Sequence, residues 1–142
     1  MFTNFHTFLE SHTIIIPFVS LVMAIIVKWL VHALKWRFSF ARMFGSGGMP
    51  SAHSTFVIAL STAIGLKYGA WSDEFMICLV VSIIIIYDAM NVRYQAGLHA
   101  RVLNRLTPDD GQTLNESMGH TPLEALVGGI IGFLTAVILL GL

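Results

Sequence analysis

Four apolar stretches, residues 14–34, 52–71, 75–92 and 121–142, restrict this chain more than any other feature. The first holds 21 residues, and at about 1.5 Å per residue a helix of that length covers about 30 Å, the thickness of a bilayer core. In lipid a backbone must satisfy its own polar groups, so each stretch predicts a transmembrane helix. Composition agrees: 56% of residues are hydrophobic and 11% charged, with a mean hydropathy of +0.77. The expected fold is all-α, a polytopic membrane helical bundle of about four transmembrane helices, with residues 1–142 forming a single membrane domain. A net charge of zero excludes a nucleic-acid binder, which needs a basic excess to neutralise a phosphate backbone. The lone cysteine, Cys78, excludes a disulfide framework and a thiolate metal site. The amino terminus has no basic n-region, and its first apolar run leads into Lys28 and His32 rather than a small-residue cleavage site, so no removable signal peptide is expected.

Along the chain, Pro17 falls in the first turn of the first span, where a missing N–H does no harm. Lys28, inside that span, is expected to snorkel towards the interface rather than face other helices. The basic and aromatic run from Lys35 to Arg42 suits a membrane interface. Ser72-Asp73-Glu74 is short enough only for a tight helical hairpin. A lone carboxylate in lipid is costly, so Asp88 is expected to be buried against the bundle and paired with Arg93, five residues on. Residues 94–119 turn polar around Pro108 and Gly111 and read as a long loop, within which 98–106 suits a short interfacial helix. The last span presents Ala125, Gly128, Gly129 and Gly132, small residues that permit close packing on a neighbour.

With four spans the polar groups fall on alternating sides. Lys35, Arg42, Pro50-Ser51-Ala52-His53, Arg93 and His120 share one side, and Ser72-Asp73-Glu74 lies on the other. The first side also carries Arg37, Arg101 and Arg105 against Lys67 near the other, which places the loops 35–51 and 93–120 in the cytoplasm by the positive-inside rule. The glycine-rich turn Gly45-Ser46-Gly47-Gly48 leads into Pro50-Ser51, a helix start whose unpaired amides and dipole attract anions beside His53. His120 also precedes a helix start, because Thr121-Pro122-Leu123-Glu124 is a capping box with proline at the first helical position. Glu124 lies one turn beyond His120, so it can serve as the cap, orient the imidazole, or do both. Two histidines at helix starts among several cations suggest phosphoryl transfer: one ring attacks phosphorus, the other protonates the leaving oxygen, and the cations stabilise the equatorial oxygens.

These residues resemble the type 2 phosphatidic acid phosphatase family, which shares its site with vanadium-dependent haloperoxidases. Lys35 and Arg42 match the spacing of the family's first motif, with Met43 replacing its proline. Pro50-Ser51-Ala52-His53 matches its second, Pro-Ser-Gly-His, with alanine for glycine. The third motif is split: Asn91 to Gly97 resembles its beginning and Gly119 to Gly129 its end, with about twenty residues between. The resemblance looks closest to the divergent bacterial and plant branch and implies a bacterial inner-membrane protein without a metal or other cofactor. It implies that His120 is the nucleophile, His53 the acid and Glu124 the orienting group, with Lys35, Arg42, Ser51, Ala52 and Arg93 holding phosphate. Larger members carry a further pair of spans, whose place a second protomer in a homo-oligomer would take.

The expected function is that of a metal-independent phosphatase of a membrane lipid phosphate or pyrophosphate, working through a phosphohistidine intermediate. The alternative is a non-catalytic lipid-phosphate binder or assembly protein that has kept the fold. A metal site from His99, Glu116, His120 and Glu124 is disfavoured, because no two histidines share a helical face.

Overall fold

The computed structural model describes residues 7–9, 11–34, 48–107 and 113–141, and among them there are helices and connecting segments but no strands. The helices are α1 (Ile15–Leu34), α2 (Ala52–Tyr68), α3 (Asp73–Met90), α4 (Val92–Leu106) and α5 (Pro122–Leu140). Helix α2 occupies the middle, touching α1, α3 and α5, and its most extensive contact is with α5.

Which residues are buried identifies the solvent this bundle is built for. The inward stripe of α1 is Ile16, Ser20, Ala24 and Lys28, spaced by four and each at most 8% exposed. Its large apolar side chains, Phe18, Val22, Ile25, Ile26, Trp29 and Leu30, point outward. Helix α5 buries Ala125, Gly128, Gly132 and Ala136 while exposing Leu126, Ile130, Phe133 and Leu134. In water this pattern would be inside out. In a bilayer it is the stable arrangement, because lipid solvates the large side chains and small residues let backbones approach.

Among the described residues two helical segments are long and apolar enough to cross a membrane, α3 with its continuation (Asp73–Leu106) and α5. Helix α1 carries a shorter apolar run, Ile15–Val31. Helix α2, with Ser54, Thr55 and Ser61 buried, is shielded from its surroundings by the other three. Its polar groups are satisfied internally: Thr55 Oγ1 donates to Ser51 O and Gly128 O at 2.9 Å each, and the Ser61 and Ser82 hydroxyls lie 2.8 Å apart.

Local chemistry sets the helix ends. Gly69, at a φ of 94° reserved for glycine, stops α2 three residues earlier than the apolar run suggests and sends its N–H to Gly65 O. Ser72 caps α3 by accepting from Phe75 N, and Asp73 and Glu74 complement the positive end of the helix. The hairpin is therefore as tight as expected.

The segment after α3 differs from expectation. Instead of a loop from residue 94 with a short helix at 98–106, α4 starts at Val92, one residue beyond α3. Asn91 N bonds to Tyr87 O and Gln95 N to Asn91 O, so the helical ladder continues across the joint. Polarity marks where an apolar run ends; it does not stop a helix whose residues are good formers. Residues 113–118 fold back along α4, where Asn104 binds Leu114 N, Leu114 O and Glu116 Oε1, and Arg101 pairs with Glu116 at 3.5 Å.

Candidate active site

Helices α2 and α5 begin at the same end of the bundle and run side by side. The contact is close because α5 presents no Cβ at two positions: one built on Gly128 would strike Ser51 O, and one on Gly132 would strike Thr55 O. Ser51 N donates to Glu124 O at 3.1 Å, joining the two starts.

Ser51 is fully buried, and its hydroxyl caps α2, accepting from Ser54 N at 3.3 Å and from Ser54 Oγ at 3.1 Å. The amides of Ala52 and His53 have no hydrogen-bond partner among the described residues. These first-turn donors, at the positive end of α2, are suited to an anion.

His120 reaches the same place from the other direction. Gly119, at a φ of 80°, packs so closely on the backbone of Tyr94 and Arg93 that a Cβ would overlap it. The next residue is thereby drawn in, with His120 N bonding to Ala89 O at 3.0 Å and the side chain only 3% exposed. The His53 and His120 rings lie 6.1 Å apart, centroid to centroid, tilted by 60°. Glu124 completes the capping box through Thr121 N (3.0 Å) and also brings Oε2 to 3.5 Å from His120 Nδ1. That separation exceeds a good hydrogen bond, and Nδ1 has no partner among the described residues. A small side-chain rotation would close the gap between Nδ1 and the Glu124 carboxylate. Burial holds the His120 imidazole below the ordinary histidine value of 6.5, with the Glu124 carboxylate opposing it. The neutral form of the ring is favoured accordingly.

Lys28 is the residue that sequence reasoning misplaced. It is 8% exposed on the inward stripe of α1 rather than snorkelling, and its charge acts on Glu124, His53 and His120. The four-residue spacing from Ile16 was the available signal. Lys35 and Arg42, expected to hold phosphate, lie outside the described residues.

Arg93 is within electrostatic reach of His53 and donates from Nε to Asp88 Oδ2 at 2.7 Å, so the expected pair forms. Its setting is not the buried one expected, because the side chains are 45% and 39% exposed. Exposed pairs contribute at most about 1 kcal/mol. Asp88→Asn is accordingly expected to shift stability by no more than that, as read by thermal unfolding in detergent; a loss several times larger would restore the buried-pair view.

His99 is exposed on α4, and Glu116 is held by Asn104 and Arg101. Among the described residues no three His, Cys, Asp or Glu side chains are gathered to hold a metal ion.

Comparison with known proteins points to the same lineage. The chain is 30% identical over 146 aligned residues to the uncharacterized membrane protein YuiD of Bacillus subtilis (strain 168), covering 87% of this chain and 92% of the relative. No solved structure matches it. Residues 9–135 match the model of the family described as "Divergent PAP2 family". With histidines at paired helix starts in an inside-out bundle, this membrane protein belongs to the divergent PAP2 family.

Proposed function

We propose that the protein is a membrane-embedded, metal-independent phosphatase of a lipid phosphate or pyrophosphate. The observation that carries this reading is the pair of rings 6.1 Å apart at converging helix starts, with Glu124 beside His120 Nδ1. With Nδ1 turned towards Glu124, Nε2 is the nitrogen left to attack. Its lone pair forms the N–P bond as the bond from phosphorus to the leaving oxygen breaks, and protonated His53 gives that oxygen its proton. Water then attacks the phosphohistidine, His53 takes the water's proton, and inorganic phosphate departs as the imidazole is restored. Lys28, Arg93 and the amides of Ala52 and His53 offset the charge on the equatorial oxygens.

Phosphate release from a panel of lipid phosphates, with chelator or vanadate added, tests this. Chelator-resistant, vanadate-sensitive release is expected, and release that needs a divalent cation would sink the reading. The depressed value for His120 predicts that its neutral form, and the rate it supports, persists as pH falls through 6.5, with the acid limb below that value. The same group contributes stability fully above 6.5 and loses it as pH falls through the folded value, because the unfolded chain takes up the proton first.

Lys28 gives a sharper test. Lys28→Gln is expected to raise KM about tenfold or more, the scale of a charge-assisted contact to phosphate, with a smaller change in kcat. An unchanged KM would remove Lys28 from the site.

A second reading, a non-catalytic lipid-phosphate binder, is favoured by one observation: His120 is nearly sealed and the Glu124 carboxylate is already engaged in a cap. Phosphate-dependent lipid binding without turnover over the whole panel would establish it. We further propose that the protein resides in the cell membrane with its site loops in the cytoplasm. Labelling of a cysteine placed at Ser117, but not at Ser72, from outside intact cells would reverse that orientation.

A further inference from the structure

Beside the site, α1, α2 and α3 enclose an apolar cleft of about 460 Å³, within the range of ligand pockets. Its site end is formed by Ala52, His53 and Ile85, and its deep end by Leu60 and Ile77. On both α2 and α3 these ends are eight residues apart, a depth of about 12 Å along the helices. Ile77 and Val81, on the α3 flank, are 65% and 48% exposed, so that side faces the surrounding lipid. A larger cleft of about 600 Å³ lies between α3 and α5, lined by Ile58, Met90, Phe133 and neighbours, and no ionisable side chain borders it. Of these two clefts, the first is bordered by His53 and the second by neither histidine.

We infer that this cleft is the subsite for one hydrocarbon chain of a phosphorylated lipid, which enters sideways past α3 and brings its phosphate to His53 and the Ala52 amide. The inference rests on the phosphatase reading for its turnover arm and stands apart from it for its binding arm. A chain moving from bilayer to cleft stays among hydrocarbon, so the chain alone gains little. Retention comes from the phosphate at the His53 end, and the chain selects by depth. An alcohol of the same length therefore has no reason to stay, and inorganic phosphate has no means of reaching the deep wall.

The deep wall carries the chain's single cysteine, Cys78, partly buried and bordering the cleft, which serves as the probe. The test measures maleimide labelling of Cys78 in phosphatidylcholine nanodiscs. Dodecyl phosphate at about ten times its Kd is expected to slow labelling about tenfold by mass action, whereas dodecanol and inorganic phosphate leave it unchanged. Equal protection by dodecanol would show a merely lipid-facing groove and overturn the inference, as would no protection by dodecyl phosphate. In the turnover arm, Cys78→Trp is expected to raise KM for dodecyl phosphate about tenfold, the scale of an overpacked contact, and to leave a short water-soluble phosphomonoester within about twofold. Val81→Trp, on the lipid-facing flank, repeats the test if that variant does not fold, and Ile130→Trp in the other cleft is the control. Equal effects on both substrates, or at the control position, would overturn the inference. Hydrolysis of dodecyl phosphate without Cys78 protection would defeat the cleft assignment and leave the phosphatase standing; protection without hydrolysis would do the reverse.

Discussion

His120→Asn is expected to lower phosphate release at least about a thousandfold, the scale seen when a covalent nucleophile is removed, while the protein remains folded. His99→Asn is expected to change it by less than about threefold, as for an exposed position away from the chemistry. A search for arginine, five residues, then histidine would select Arg93 and His99. The structure separates the two rings by environment. His99 sits on the outer surface of α4, whereas His120 lies 3% exposed between the starts of α2 and α5, beside His53 and Glu124. Asparagine keeps approximate size and polarity but has no nucleophilic ring nitrogen. The measurement is kcat with each variant at equal folded fraction, accompanied by trapping of acid-labile phosphoenzyme. A phosphoenzyme that survives His120→Asn, or the opposite ranking of the two variants, would overturn the assignment.

Gly132→Ala is expected to cost about 3 kcal/mol or more, at the upper end of overpacking effects, although the change adds a single methyl group. That methyl would run into Thr55 O and lie 3.0 Å from Ala59 N, and both are backbone atoms of the central helix that cannot swing aside. Relief requires α5 to move off α2, which also separates His53 from His120, so activity falls with stability. Gly129→Ala, three residues earlier on the same helix, supplies the comparison. Its Cβ would meet only Ile58 Cγ1 at an ordinary 3.7 Å, and alanine is the better helix former by up to about 1 kcal/mol. Thermal unfolding in detergent should show the first variant strongly destabilised and the second unchanged or slightly improved. Equal behaviour of the two would mean that the α2–α5 contact is looser than described.

What could be read from the sequence was local. The capping box at Thr121 and Glu124, the Ser51 cap and the hairpin closed by Ser72 each depend on residues within four positions of one another, and each is found in the structure. The apolar runs likewise located α1, α2, α3 and α5, because helix formation and lipid solvation both act on contiguous segments. The joint at Asn91 was missed because hydropathy registers the medium around a segment, while the backbone hydrogen bonds that carry α3 into α4 are indifferent to it. Ser51 was expected to help hold phosphate; its buried hydroxyl accepts from Ser54 N and Ser54 Oγ in the helix cap, which leaves its own proton and the neighbouring Ala52 and His53 amides as donors for an anion.

By itself, then, the sequence determined a helical membrane protein with histidines at two helix starts, because hydrophobic length and helix capping are properties of short stretches. The tertiary structure alone decided which of those groups meet. Lys28 comes within electrostatic reach of Glu124, His53 and His120 because the Ile16, Ser20 and Ala24 stripe turns it inward, not because of any motif. His53 and His120, 67 positions apart, come within 6.1 Å because Gly128 and Gly132 let two backbones touch. Such distances depend on how closely two helices pack, and that is set by the shapes of both faces together, which neither segment encodes alone.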